Sequence, residues 1–446
     1  MTINTKKFGT APVFLTAIST ILGAILFLRF GYAVGTLGFW GAILLILLGH
    51  MVAIPTALAI SEIATNKRVE GGGEYFIISR SFGLNIGATI GVALFFSQSI
   101  SVAFYVIAFT EAFEFFFNYV ADNFGFILPR QAVSLPVMAG LAVLIIKKGA
   151  NMGVKTLYVV TAILILSLAL FFMGKTGHAD DSTFNLASAE LRNPQDFFVV
   201  FAIVFPAFTG MTAGVGLSGD LKKPSVAIPR GTILATLTGM LVYFFVVYKL
   251  ALSAPVEELL EDQLVMAKIA IFGAVAIPFG LAASTISAAL GSVMVAPRTL
   301  QALALDSAFP SQKLNGWLSK SRINDNEPIN ATLVTSVIAF VFVALGDVNA
   351  VASIISMFFM VTYGSLCLIS FLNHFGSSPS YRPSFRSRWY ISLTGFIVSV
   401  WVMFKISTLY AFLAFGLITI LYLYINHYHK SRQGFASLFA NSLFQL

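Results

Sequence analysis

The chain has 446 residues, of which 58% are hydrophobic and only 10% charged, with a mean hydropathy of +0.88. Soluble domains carry roughly 25% charged residues, and a water-soluble enzyme of this composition would expose apolar patches large enough to aggregate. The composition therefore specifies an all-α polytopic membrane protein; the net charge of +8 reflects cytoplasmic loop bias rather than nucleic-acid binding, and the single Cys367 excludes a disulfide framework and a thiolate zinc site.

In chain order, residues 1–10 (MTINTKKFGT) form a polar cytoplasmic N-terminus. The apolar stretch after them is too long for a signal-peptide core and reads as a first membrane span. At about 20 apolar residues per span, twelve stretches follow, centred near residues 22, 50, 100, 139, 163, 207, 240, 285, 337, 361, 397 and 417. With the N-terminus inside and an even number of spans, most of the 27 Lys and Arg residues fall on the cytoplasmic side, among them Lys67, Arg68, Arg80, Lys147, Lys148, Lys222, Lys223, Arg298 and Arg382. The acidic run Glu257, Glu258, Glu261 and Asp262 then lies outside. The organisation is a first half over 11–174, a second over 195–373, two further spans over 388–427 and a tail over 428–446. In the tail Phe435, Leu438, Phe439, Leu443 and Leu446 recur at helical spacing, the pattern of an amphipathic helix on the membrane surface or of the start of a further segment.

Two spans carry polar and glycine interruptions at mid-membrane: Ser19–Ala24 in the first, and Pro206–Gly214 in the sixth. Breaks at matching positions of two five-span halves predict inverted repeats around a midplane binding site; ordinary glycine-mediated helix packing is the alternative. At a break, the end of one half-helix presents carbonyls suited to a cation, and the start of the next presents N–H groups suited to an anion. Two facing breaks can thus hold a neutral salt although no carboxylate sits in either. The hydroxyls of Thr209, of Tyr105 in the third span, Ser287 in the eighth and Tyr363 in the tenth are available to such a site, and each could instead bond a carbonyl of its own helix. Arg29 and Glu111 fall at equal depth beyond the breaks, which predicts an Arg29–Glu111 bridge over the site, with snorkelling to the interface as the alternative. Glu70-Gly71-Gly72-Gly73-Glu74 lacks the Lys-Ser/Thr of a phosphate loop and reads as a bend before a short helix. No nucleophile–base–acid constellation appears, and His427 and His429 are too close together for a metal site. An enzyme and a bound cofactor are not expected.

At these same stretches the sequence resembles the cation–chloride cotransporters, a branch of the amino acid–polyamine–organocation superfamily. The matching runs are ILGAILFLRFGYAVGTLG (21–38), ATNKRVEGGGEYFIISRSFG (64–83), FPAFTGMTAGVGLSGDLKKPSVAIPRG (205–231), STISAALGSVMVAPRTLQAL (284–303) and NAVASIISMFFMVTYGSLCLISF (349–371). The 64–83 and 205–231 runs look like this branch rather than like amino-acid permeases. The resemblance implies a LeuT-like fold of twelve transmembrane helices, a 5+5 inverted repeat with helices 1 and 6 broken, and symport of chloride with cations. Carried over residue by residue, potassium would bind the carbonyls of Thr20, Ile21 and Pro206 and the hydroxyls of Tyr105 and Thr209. One chloride would sit on the N–H groups of Gly23, Ala24 and Ile25, and a second on Gly210, Met211 and Thr212 with the Tyr363 hydroxyl. Family members also place an Arg–Glu pair as an outer gate, matching Arg29 and Glu111.

A sodium site would use the carbonyls of Ser19, Leu22 and Ser284 and the Ser287 hydroxyl. Sodium-coupled members carry two adjacent serines where this chain has Ser287-Ala288, and potassium–chloride members lack both, so the sequence stands between the two types. An amino-acid permease on the same fold is the alternative, with the first break's N–H groups on a substrate carboxylate. The implied partners are inorganic ions (K+, Cl− and, in the sodium-coupled case, Na+) and the lipid bilayer of the plasma membrane, with both termini cytoplasmic. Family members form homodimers through the last two spans and a large C-terminal domain. The short loops suggest a prokaryotic chain or one trimmed after the twelfth span.

Overall fold

The computed structural model describes residues 9–66, 73–148, 153–181, 191–322, 327–375 and 381–429. The tail expected over 428–446, beyond residue 429, lies outside them, as do Lys67, Arg68 and residues 1–8. The chain folds into helices α1 (Thr10–Ile21), α2 (Ala24–Asn66), α3 (Gly73–Phe82), α4 (Leu84–Glu111), α5 (Glu114–Phe124), α6 (Gln131–Lys148) and α7 (Gly153–Met173). After the short α8 (Gly177–Asp181) come α9 (Phe197–Val204), two 3-10 segments (Phe205–Phe208 and Gly210–Asp220) and α10 (Pro224–Ser253). Two short helices, α11 (Val256–Glu261) and α12 (Val265–Ile269), precede α13 (Gly273–Leu305), α14 (Gln312–Leu318), α15 (Ile329–Leu345), α16 (Val348–Phe375), α17 (Trp389–Ile406) and α18 (Thr408–Tyr428).

Eight helical segments among the described residues are long and apolar enough to cross a membrane, and the first of them runs from Thr10 to Asn66. A continuous helix of α2's 43 residues would be about 65 Å long, twice the roughly 30 Å hydrocarbon core. Gly38 resolves this: its φ of 73° and ψ of 177° interrupt the helix, a conformation costly for any residue with a Cβ. The apolar stretches predicted near 139, 163 and 337 fall on shorter apolar helices.

The core is built where α2 packs on α10, α13 on α4, and α1 on both α10 and the 210–220 segment. Phe27, Phe30, Phe201, Phe205, Tyr243 and Tyr363 are fully buried there. By contrast α18 turns Leu409, Phe412, Leu413, Leu417, Ile420 and Leu423 outward; an apolar exterior is unremarkable where lipid is the solvent.

At one end of α2, Glu62 is fully buried. Its carboxylate accepts from Ser370 Oγ at 2.9 Å and from the Ser387 N–H at 3.3 Å, and lies 3.7 Å from His374 Nε2. One carboxylate thus fastens α2, α16 and the segment leading into α17. Replacing Glu62 with Ala strips the buried Ser387 N–H of its acceptor, at about 1–3 kcal/mol, and leaves Ser370 Oγ and His374 Nε2 only their bonds to Ser392 Oγ and Ser387 O. A clear fall in the thermal midpoint of the detergent-solubilised protein is expected, with Glu62→Gln recovering part of it; an unchanged midpoint would show that the cluster does not hold these elements.

Candidate functional site

The first break lies between α1 and α2. The Leu22 N–H still bonds Ile18 O at 2.9 Å, and Leu26 N–H bonds Gly23 O at 3.1 Å. The helix restarts at Ala24, so the N–H groups of Gly23, Ala24 and Ile25 are among those that a helix start leaves without an intrahelical partner. A Cβ on Gly23 would meet Thr20 O at 2.9 Å and Ser19 O at 3.2 Å; only glycine lets these carbonyls crowd the turn. The Ser19 and Thr20 hydroxyls point elsewhere, both donating to Thr16 O, at 3.1 and 2.9 Å. This break therefore offers backbone groups and no side-chain oxygen from α1.

The second break follows α9. Pro206 has no N–H to donate, and the chain tightens into 3-10 geometry on both sides of Thr209. The Thr209 hydroxyl turns back to Pro206 O at 2.8 Å, and the Thr212 hydroxyl to Thr209 O at 3.3 Å. Tyr363 on α16, expected to help hold chloride, donates its hydroxyl to Thr209 O at 2.6 Å. Gly210 brings the breaks together: a Cβ there would lie 2.6 Å from Ile21 N and 2.9 Å from Thr20 C. The two interruptions are thus in backbone contact, Thr20–Ile21 on one side and Gly210 on the other.

Two buried phenols, Tyr243 and Tyr363, bond carbonyls of the breaks. The Tyr243 hydroxyl on α10 donates to Ile21 O at 2.5 Å, and Ala207 O lies 2.9 Å away, so one side chain ties the first break to the second. Sequence reading missed Tyr243, and it carried no signal to find: it is one of two tyrosines, with Tyr248, in a long apolar helix. Tyr105 on α4 is buried against Phe104 and lies within electrostatic range of both Tyr243 and Tyr363. Of the expected sodium ligands, Ser284 donates to Leu281 O at 2.9 Å, whereas Ser287, one turn further along α13, is half-buried and makes no side-chain hydrogen bond among the described residues. Met211 is fully buried.

Beyond the breaks the structure does not join Arg29 to Glu111. Arg29 is buried, with Nε on Asn349 Oδ1 at 2.7 Å, and Nη1 on Gln263 Oε1 at 3.2 Å and on Leu28 O at 2.9 Å. Glu111 pairs instead with Arg130, which also lies 3.9 Å from Glu114. Each buried ion is thus matched, but by partners from other parts of the chain: α16 and the segment between α11 and α12 for Arg29, the segment before α6 for Glu111.

Residues 12–445 match the amino acid permease family. The chain is also similar to solute carrier family 12 member 2 from human, with 30% identity over 477 residues, and from Squalus acanthias, with 31% over 479. It is 30% identical over 478 residues to solute carrier family 12 member 1 from mouse. Each comparison covers 94% of this chain, but only 39% of the two member 2 proteins and 43% of the member 1 protein. The chain thus spans about two fifths of the length of the curated relatives it matches.

Proposed function

We propose, from the premise that the chain belongs to the amino acid permease family, that it is a secondary active symporter coupling chloride to potassium by alternating access. The observation that carries this is the backbone contact of the two breaks at Gly210, which sets half-helix carbonyls and N–H groups side by side. A cation on the carbonyls of Thr20, Ile21 and Pro206, with Tyr105 and Thr209, sits next to an anion on the N–H groups of Gly23, Ala24 and Ile25. A second anion falls to Gly210, Met211, Thr212 and Tyr363. In a low-dielectric site each ion lowers the cost of admitting the other, which is the basis of coupling. The likeness to solute carrier family 12 proteins over 94% of the chain supports this assignment.

The same reading has twelve spans, with repeats over 11–174 and 195–373, both termini cytoplasmic, and Arg29 and Glu111 at the outer mouth of a plasma-membrane protein. Occupation by the second anion requires the Tyr363 hydroxyl to turn from Thr209 O, whereas the Thr209 hydroxyl can keep its bond to Pro206 O and offer a lone pair to a cation. Sodium, where coupled, takes the carbonyls of Ser19, Leu22 and Ser284 and the Ser287 hydroxyl; the Ser19 and Ser284 hydroxyls are taken by carbonyls of their own helices.

The test is uptake of rubidium, a potassium surrogate, into liposomes holding the purified chain, with chloride replaced by gluconate in one arm and sodium by an inert organic cation in another. Loss of uptake in gluconate is expected, and uptake indifferent to chloride would sink the symport reading. The sodium arm decides whether Ser287 serves a third ion. The match to the amino acid permease family favours a second reading, in which a substrate carboxylate takes the first break's N–H groups. Tyr105→Phe separates the two: it removes a cation ligand and should cut chloride-dependent rubidium uptake at least tenfold, about 1.4 kcal/mol, while leaving amino-acid uptake largely intact.

A further inference from the structure

Glu74, in the first turn of α3, belongs to the Glu-Gly-Gly-Gly-Glu run that the ion pathway has not used. Helix α3 lies between spans and packs on α2, α4, α13 and the 210–220 segment. In this position Glu74 is only 8% exposed. The Thr212 hydroxyl, which donates to Thr209 O at 3.3 Å, lies beside its carboxylate, Oε2 is buried with no hydrogen bond among the described residues, and Tyr363 lies within its electrostatic range. The carboxylate therefore neighbours two of the groups read above as ligands of the second anion.

We infer that Glu74 is a proton-binding site in competition with that anion, so that chloride occupies Gly210–Thr212 when Glu74 carries a proton and is excluded when it does not. The inference rests on the reading of Gly210, Met211 and Thr212 as an anion site. An ionised Glu74 is a tethered anion beside the Thr212 hydroxyl, and a chloride on the neighbouring N–H groups meets its charge at low dielectric. Protonation of a carboxylate oxygen removes that charge. The proton comes from solvent on the side of the molecule where α3 lies and returns when chloride leaves.

The surroundings leave this role to Glu74. On its own helix Tyr75 and Arg80 both turn to Asp306, at 2.8 and 3.1 Å. From α13 comes Arg298, paired with Glu327 at 3.2 Å, and from α2 Glu62, beside His374. Helix α4 brings Tyr105 and, at its far end, Glu111, which pairs with Arg130; α16 brings Tyr363, and Asp220 closes the 210–220 segment. Among the described residues no ion pair is made to Glu74. Burial pushes its carboxyl up to about 8, against the opposing pull of the nearby Thr212 hydroxyl, so the group changes charge close to physiological pH. Bound chloride raises that affinity for the proton further, and by reciprocity the proton raises affinity for chloride.

The decisive experiment measures the chloride concentration for half-maximal rubidium uptake in proteoliposomes between pH 6.5 and 9.5. In the wild type it should rise about tenfold per pH unit once Glu74 ionises. Glu74→Gln should hold it at the low-pH value throughout. A second measurement needs no variant: adding potassium chloride, but not potassium gluconate, to the lightly buffered full chain in detergent at pH 8 should withdraw protons from solution. A chloride-dependent wild type whose pH slope survives in Glu74→Gln, or chloride addition without proton uptake, overturns the proposal alone. Uptake indifferent to chloride at every pH overturns the anion-site reading and this proposal with it.

Discussion

Placing one methyl group on Gly210 is expected to reduce chloride-dependent rubidium uptake about a hundredfold. The added carbon would lie 2.6 Å from Ile21 N, 2.9 Å from Thr20 C and 2.9 Å from Ile21 Cγ1. Two of these are backbone atoms, which cannot rotate aside, so the breaks must part by most of an ångström. Overpacking of this kind costs about 1–3 kcal/mol in stability, but a displacement of about 1 Å between binding groups costs on the order of 100-fold in function. Gly210→Ala should therefore be purified folded and fail in transport. Gly140 in α6 is the control, since a Cβ there meets nothing within 4 Å; Gly140→Ala should transport like the wild type. Normal uptake by Gly210→Ala would mean that the two breaks do not have to touch.

Removing the Tyr243 hydroxyl should be nearly as damaging. The ring is held independently, stacked on Phe30 at 4.8 Å and edge-on to Phe208 at 5.6 Å and His50 at 6.1 Å, so Tyr243→Phe keeps its packing. It leaves Ile21 O and Ala207 O without their donor. A buried acceptor stripped of its partner costs about 1–3 kcal/mol, which is roughly 5- to 150-fold at 1.4 kcal/mol per decade. The expected result is a maximal uptake rate lowered 10- to 100-fold, with a smaller change in the rubidium concentration needed, because no cation ligand is removed. An unaltered rate would show that the hydroxyl does not couple the breaks.

The positions of both breaks were legible because helix interruption is written locally: Gly23, Pro206 and Gly210 each forbid something a continuous apolar helix needs. The apolar stretches were legible for the same reason. What polar groups bond to was not. Equal depth placed Arg29 and Glu111 at one level without fixing the direction in which either points, and the partners that take them are Asn349 and Gln263, uncharged and invisible to charge counting, and Arg130, outside any apolar stretch. The hydroxyls divide in a way periodicity cannot predict. Ser19, Thr20, Thr209 and Ser284 return to carbonyls of their own segments, the local competition open to any Ser or Thr, while Tyr363 crosses to another helix. Tyr243 and Glu74 gain their meaning only from what the fold sets beside them.

Gly38 has a mechanical consequence. One residue joins the stretch that begins at the first break to the stretch that ends at Glu62, with no loop between them. Consecutive Cα atoms stay 3.8 Å apart, so the joint can pivot but has no slack to pay out. Any swing of the half-helix that opens at Ala24 is passed to the next span as a rotation about that single point. Through Glu62 the same span grips α16 and the entry to α17, so a rotation that reaches this end of α2 is carried to both.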